Sequence, residues 1–542
     1  MNARLVCALA WCAMLVLGSG CARERGFERI GGRNAWTIPG VVRLGEPDEP
    51  DTLNPLFAHT AAADQTAALL YSYLLRYDAN GNLIPDLATA VPSVRDGGIS
   101  ADGRTYTLHL RHDARWADGT PVTANDWLFT YHAVMDPQSA VGSREGWDDI
   151  AWARAPDPYT LVIRLKRPNA AFLGILAMGG NAYPPLPAHL LAHVRDLRHA
   201  AFNDDPLSDG PFELRAWRHG SSLTFVPNPF YFRGKPPLRE IRWVVIPDTA
   251  SLLNALRAHE IDVDGDIAPA TIMSLRAIRG IRVVHRIVAN ERILGFDCAR
   301  PPLNDVRLRL AITEGIDWAR LLHVVYDDRE LPATSDIYPL SWAAPHVPPY
   351  PYDPQHARAL LDAAGWHLVS DGFRSKAGRP LRLTLISATD VPDDERAEVQ
   401  IQAMLRRIGI RIEIRNYPAN LLFAQNGPIY TGRYDLEWSV NTQAPDPDNS
   451  GSWVSAFIPP NGANTAWLRD AEVDRLAEAA LATADRRRRA ALYRQEELRL
   501  HALVPTVFVY WEDKYEAINR DLHGFRPAAY LTDTWNAWEW RI

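Results

Sequence analysis

The chain has 542 residues, 58 basic against 65 acidic side chains for a formal net charge of −7, and 47% hydrophobic content. A chain of this kind buries a large core, and at about 150 residues per domain it divides into roughly three or four domain-sized units. With no basic run longer than Arg486 to Arg489, it lacks the electrostatic footprint of a nucleic-acid binder.

The first residues read as a targeting segment. Arg4 supplies a positive start, Leu5 to Leu17 an apolar run too short to span a bilayer, and Gly18-Ser19-Gly20-Cys21 a small-residue site ending in cysteine. Cleavage by a general signal peptidase is the plain reading. The cysteine behind small residues also resembles the lipobox of bacterial lipoproteins, where that thiol is acylated, although Leu17 lies four positions before Cys21 rather than three. The expectation is a signal peptide over 1–20, lipidation at Cys21, and a tether over 21–40. Several acyl chains hold a protein at a membrane surface more firmly than one. Cys7 and Cys12 leave with the signal, so Cys298 remains alone as a packed, inert thiol, and no disulfide forms within one mature chain.

Further along, strand-like and helical runs alternate, which indicates α/β architecture. Asn80-Gly81 between Leu74-Leu75 and Leu83-Ile84 signals a hairpin, and this outweighs a calcium-loop reading of Asp78 to Asn82, whose glycine is misplaced. Tyr106 to Leu110 alternates as a strand, and Thr123 with Asp126 caps a helix. His189, His193 and His199 lack a carboxylate or cysteine partner of known position and read as solvated. Asp353-Pro354 opens a helix with Ala357, Leu360, Leu361 and Ala364 at helical spacing, stopped by Gly365.

Residues 381 to 414 form a βαβ unit. Leu381, Leu383 and Leu385 alternate, Ala397, Ile401, Met404, Leu405 and Ile408 mark one helix face, Gly409 ends it, and Ile410, Ile412 and Ile414 alternate again. Ligands of such sheets sit outside the carboxyl ends of the strands. Arg396 stands at that helix start, opposed by the helix dipole, as an anion-binding residue or as a surface partner of Asp393 or Asp394. Arg433 to Trp438 reads as a strand followed by a crevice loop, Ser439 to Asn449, in which Asn441, Asp446 and Asp448 are either ligand contacts or ordinary turn residues. Of the 18 tryptophans, Trp438 beside that loop is the functional candidate. Nucleophile-elbow, zincin, phosphate-loop and Cys-x-x-Cys motifs are missing, so no catalytic residue, metal site or cofactor is assigned.

Other stretches carry a family resemblance: Asp51-Thr-Leu-Asn-Pro55, Leu83 to Ala88, Asp102 to Arg111, and Trp116 to Asp126. Gly210 to Leu214, Asn228 to Tyr231, Gly234 to Pro237, Ile246 to Asp248, Glu260 to Asp262, Pro302 to Arg307, Ala311 to Asp317 and Tyr352 to Trp366 continue it in order. The chain resembles, from about 45 to 525, the extracytoplasmic solute-binding proteins of the dipeptide, oligopeptide and nickel ABC importer class, solute-binding protein family 5. The resemblance implies an α/β, two-lobed periplasmic-binding-protein-like fold with an extra inserted domain and a hinge. Its boundaries carry over as 41–70, 205–292 and 514–542 for the first lobe, 71–204 for the insert and 293–513 for the second lobe. The hinge crossings fall near Ala289 to Phe296 and Val507 to Asp513.

The resemblance also implies a role. A monomeric, lipid-anchored protein at the periplasmic or cell surface captures a peptide or related solute and delivers it to an ABC transporter permease, without catalysis. Arg396, Trp438, Ser439, Asn441 and Asp446 are the implied ligand-binding residues. Where peptide binders of the class place an aspartate for the ligand's α-ammonium, this chain has Asn441, so the solute either lacks a free α-amine or meets Asp446 instead. A metal chelate or modified peptide is the alternative solute, and a secreted hydrolase the remote alternative function.

Overall fold

The computed structural model describes residues 32–542, apart from 140, 180–181, 266, 268–270 and 390. The expected signal peptide and the lipidation expected at Cys21 lie outside the described residues. The tether expected over 21–40 ends early, because Asn34 N–H and the Thr37 hydroxyl donate to Asp521 Oδ2 at 2.6 and 2.7 Å. Small polar residues that resemble linker in sequence here satisfy a buried carboxylate.

Local chemistry sets most elements where the sequence places them. Strands Leu75–Tyr77 and Leu83–Pro85 pair across Asn80-Gly81, with Asp78 Oδ1 accepting from the Asn80 and Asn82 N–H groups. Asp126 accepts from the Thr123 N–H at 2.7 Å to start helix Ala124–Met135, and Asp353 accepts from the Gln355 and His356 N–H groups to start helix Pro354–Ala363. In the βαβ unit, strand Arg382–Ala388 leads to helix Pro392–Arg406, which buries Ala397, Ile401, Met404 and Leu405. Gly409, at φ 88°, reverses the chain, and Arg411–Tyr417 returns parallel to the first strand.

Among the described residues, eleven strands make one sheet. Across it run Arg411–Tyr417, Arg382–Ala388, Leu436–Thr442, Ile281–Phe296, Thr506–Asn519, Val263–Asp264, Val41–Glu46, Glu240–Val245, Ser222–Pro227 and Phe212–Arg218, while Leu331–Pro332 pairs beside Thr506–Asn519. Ile281–Phe296 and Thr506–Asn519 have 16 and 14 residues and run antiparallel through the middle. Their ladder is interrupted between Ile287 and Glu291 and between Arg292 and Ile293, where extra residues concentrate twist.

Separate apolar cores lie on either side of this waist. One gathers Val42, Leu70, Trp116, Trp127, Trp243 and Trp540, so the 71–204 segment shares its core with the flanking strands. The other gathers Leu294, Leu321, Leu383, Ile401, Trp438 and Val507. Cys298 sits at its margin, and burial pushes its thiol up to about 11, which keeps it unreactive.

One strand departs from the sequence reading. It runs Leu436–Thr442 rather than 433–438, so Ser439 and Asn441 are strand residues and not part of a loop. The partner decides this: Ser439 lies opposite Ile293 and Asn441 opposite Glu291, in a ladder that local sequence does not display.

Behind that strand, helix Arg486–Leu503 buries Glu496 and Glu497 against Glu291 and Asp336. Asn449 Nδ2 reaches Asp336 and Glu497 at 3.2 to 3.3 Å, whereas both carboxylate oxygens of Glu291 and Glu496 lack partners among the described residues. Burial first, and then the neighbouring Asp336 charge, raises Glu291, Glu496 and Glu497 well above the usual carboxylate range. The native state therefore holds protons that the unfolded chain gives up above about pH 4.3, and the stability they contribute is lost as pH rises. Thermal midpoints should fall between pH 5 and pH 8, and Glu496→Gln should make that fall shallower. Parallel melting profiles for the two proteins would contradict the burial account.

Candidate functional site

The sheet directions locate the site. Leu436–Thr442 runs antiparallel to Ile281–Phe296 and ends opposite Asn290, while Val263–Asp264 runs antiparallel to Thr506–Asn519 and ends toward the same waist. Val41–Glu46 is parallel to Val263–Asp264, and Arg382–Ala388 is parallel to Leu436–Thr442. The carboxyl ends of both half-sheets thus face the waist, where open α/β sheets place ligands.

One face of the waist lies beneath the 71–204 segment. There Arg286 donates to Glu516 and, at 2.6 Å, to Asp533 Oδ1, and Lys514 Nζ stands 3.7 Å from Asp533 Oδ2. Glu46, at the end of its strand, is pushed up to about 8, by burial first and then by the Asp533 charge. Gln65 Nε2 donates to it at 3.3 Å. Gly265 permits this crowding, since a Cβ there would stand 2.5 Å from Asp533 Oδ2. Gln65 Oε1, Arg286 Nε and Glu516 Oε2 are buried without hydrogen-bond partners among the described residues. Beside them Tyr338 packs edge-on between Trp511 and Tyr530, with ring centres 5.2 and 5.1 Å away. The hairpin at Gly81 covers the face, so close that a Cβ would stand 3.2 Å from Tyr530 and 3.5 Å from Pro445. The Ala170 N–H donates to Leu481 O at 2.7 Å, a backbone bond between the 71–204 segment and helix Ala471–Leu481.

Strand alternation separates the residues singled out from sequence. Trp438 needs correction as a ligand contact: it is 1% exposed in the second core, and its Nε1 donates to Asp394 Oδ1 at 3.0 Å. Ser439 points the opposite way and is buried, its hydroxyl donating to Glu437 Oε2 at 3.3 Å. Burial pushes Glu437 up to about 7. Asn441, half-buried, shares the face of Glu291. Asp446 is engaged from both oxygens by Arg489, at 2.5 and 2.8 Å, and its Oδ1 also accepts from the Asp448 N–H. It is therefore not a spare acceptor for an ammonium group. Arg396 is mostly exposed, donating to Asp393 Oδ1 at 2.5 Å and to Val325 O at 3.0 Å. The surface pairing describes it, and it stands apart from Ser439, Asn441 and Asp446.

Arg396 instead borders a cavity of about 900 Å³ on the other face of the waist, lined by Asn290, Arg292, Tyr326, Glu330, Glu512 and Tyr515 among others. Arg292 spans it, paired with Asp394 at 2.9 Å and Glu512 at 3.2 Å. Sequence reading missed Glu46, Arg286 and Asp533. Applying the strand-end rule to Val41–Glu46 finds the first, but the other two are joined only by the fold, 247 positions apart in sequence.

Among the described residues, no group of three or more His, Cys, Asp or Glu side chains is arranged to hold a metal ion. No described helix is long and apolar enough to cross a membrane.

Comparison with known proteins supplies the class. Oligopeptide-binding protein AppA of Bacillus subtilis is 26% identical over 500 residues, 90% of this chain and 89% of that protein. The nickel-binding periplasmic protein of Escherichia coli is 28% identical over 482 residues, 85% and 88% of the two chains. Among solved structures, NikZ from Campylobacter jejuni in complex with Ni(L-His) superposes with a TM-score of 0.79 at 25% identity, covering 93% of this chain and 100% of that one. AppA in complex with a nonapeptide gives 0.78 at 24% identity with the same coverages, and the two likenesses show a two-lobed periplasmic-binding-protein fold. The model for bacterial extracellular solute-binding proteins, family 5 middle, matches residues 82–461, and the chain belongs to that family of binding proteins.

Proposed function

We propose that the chain captures a peptide or related small solute at the waist, beneath the 71–204 segment, and passes it unchanged to the permease of an ABC importer. The division into a first lobe (41–70, 205–292, 514–542), an insert (71–204) and a second lobe (293–513) belongs to this reading, with the ladder interruptions as the hinge. So do a monomeric state and anchorage through lipid on Cys21. The observation that carries the proposal is the set of buried, unpartnered polar atoms on Gln65, Arg286 and Glu516 where both half-sheets end. Each such group costs about 1 to 3 kcal/mol while unsatisfied. Inverting an open-to-closed ratio from about 1:99 to 99:1 takes roughly 5.5 kcal/mol, so a few bonds made only in the closed state suffice.

Glu46, beside Asp533, takes over the ammonium-acceptor role for which Asp446 was the candidate where Asn441 replaces the aspartate. An ammonium group placed beside Glu46 restores the carboxylate that burial disfavours. Isothermal titration should show free-amine peptides binding more tightly than their acetylated forms, with the advantage reduced tenfold or more in Glu46→Gln. An unchanged advantage in that variant would refute the assignment. Asp446→Asn should lower the melting temperature, because it leaves Arg489 buried and half-paired, at a cost of about 3 to 5 kcal/mol.

A chelated metal or modified peptide is the second reading, favoured by the engagement of Asp446 with Arg489 and by the Ni(L-His) bound to NikZ. Native mass spectrometry of freshly isolated protein separates the two by the mass retained. Cys21→Ser should move the protein from the membrane fraction to the soluble fraction, and persistence at the membrane would exclude the lipid anchor.

A further inference from the structure

The cavity on the uncovered face of the waist is chemically unlike the site proposed above. Its walls carry six carboxylates, Asp327, Glu330, Asp393, Asp394, Glu512 and Asp513, against four cations, Arg292, Arg329, Arg396 and Lys514. Three of the four cations are already committed. Arg292 bonds Asp394 and Glu512, Arg396 bonds Asp393, and Lys514 faces Asp533. Arg329 stands 3.9 Å from Glu330 and 4.0 Å from Asp393, close enough for attraction but beyond hydrogen-bonding distance. The first turn of helix Pro392–Arg406 points no free positive field into the space either, since it carries Asp393, Asp394 and Glu395. An anionic guest would compete with these acids for Arg329, whereas acids outnumber cations in the walls even with Asp513 Oδ1 facing His285 Nδ1 at 3.2 Å.

That surplus gathers at one end. Glu330 is nearly buried, with one oxygen accepting from the Asp513 N–H at 2.7 Å. Burial pushes Glu330 up to about 7 against the Asp513 N–H and the Arg329 charge, which lower it, with smaller upward pushes from the Glu512 and Asp513 charges. The Tyr326 hydroxyl, 2% exposed in the same wall, lies beside the Tyr510 hydroxyl and keeps an oxygen lone pair to offer as a further acceptor. Tyr326, Tyr510 and Tyr515 add aromatic surface, which attracts cations.

We propose that this cavity is a second binding site, specific for a small organic cation bearing primary ammonium groups, held by Glu330, Asp513 and Asp327 with the Tyr326 hydroxyl. Because its walls include both waist strands and the second-lobe segment 326–330, an occupant is linked to the angle between the lobes, and linkage is reciprocal between two ligands. The term second rests on the solute site being on the covered face.

The test is titration of the full chain with putrescine alone. The wild-type protein should bind one equivalent, at least tenfold more tightly than Glu330→Gln, which keeps an acceptor for the Asp513 N–H. Asp327→Asn should also weaken binding. It sits at φ 55°, a conformation asparagine tolerates, so folding is not at risk. Glu46→Gln should bind putrescine as the wild type does. Affinity should decline as pH falls below 7 in the wild type and stay flat in Glu330→Gln. Absence of binding, or equal affinity in wild type and Glu330→Gln, overturns the proposal. Loss in Glu46→Gln alone overturns it too, placing the amine on the covered face and leaving the solute reading intact.

Discussion

The structure depends on one constraint: a single pair of antiparallel strands, Ile281–Phe296 and Thr506–Asn519, must continue the sheet between two cores and still bend between them. Unbroken pairing would make the molecule one rigid slab, and a severed ladder would leave backbone groups without partners. The interruptions at Ile287 to Glu291 and Arg292 to Ile293 keep most ladder bonds while loosening the middle. Everything placed at the waist, from Arg286 to Arg292, inherits that compromise.

The waist is also where charge is taken out of water. Arg286 answers Glu516 and Asp533, Arg292 answers Asp394 and Glu512, and at Glu46, Glu291 and Glu330 burial outweighs any partner nearby. A molecule optimised only for stability gains by replacing such groups with apolar ones. Their position where the half-sheets end fits a scaffold whose polar groups find partners in a guest.

Local features were legible in the sequence. The Asn80-Gly81 hairpin, the Thr123 and Asp353 caps and the βαβ unit ending at Gly409 all follow from contacts within a few residues, and they appear as expected. The family resemblance likewise gave the fold class. The site was much less legible, because its contacts are distant. Trp438 and Ser439 are neighbours in sequence yet point into opposite faces once the strand is paired, and the strand's extent depended on Glu291 and Ile293, about 150 positions earlier. Asp446 looked available until Arg489 was placed against it. Arg396 stands in the first turns of its helix, as the βαβ unit implies, but the face of the sheet it serves is fixed by strand register and not by local sequence.

The central claim is that the two halves swing together on a guest around the waist strands. Small-angle X-ray scattering of the purified protein, recorded empty and then with saturating peptide ligand, measures it directly. The account requires a smaller radius of gyration and a shortened maximum dimension in the liganded sample. Superimposable curves at a ligand concentration shown by titration to fill the site would contradict it.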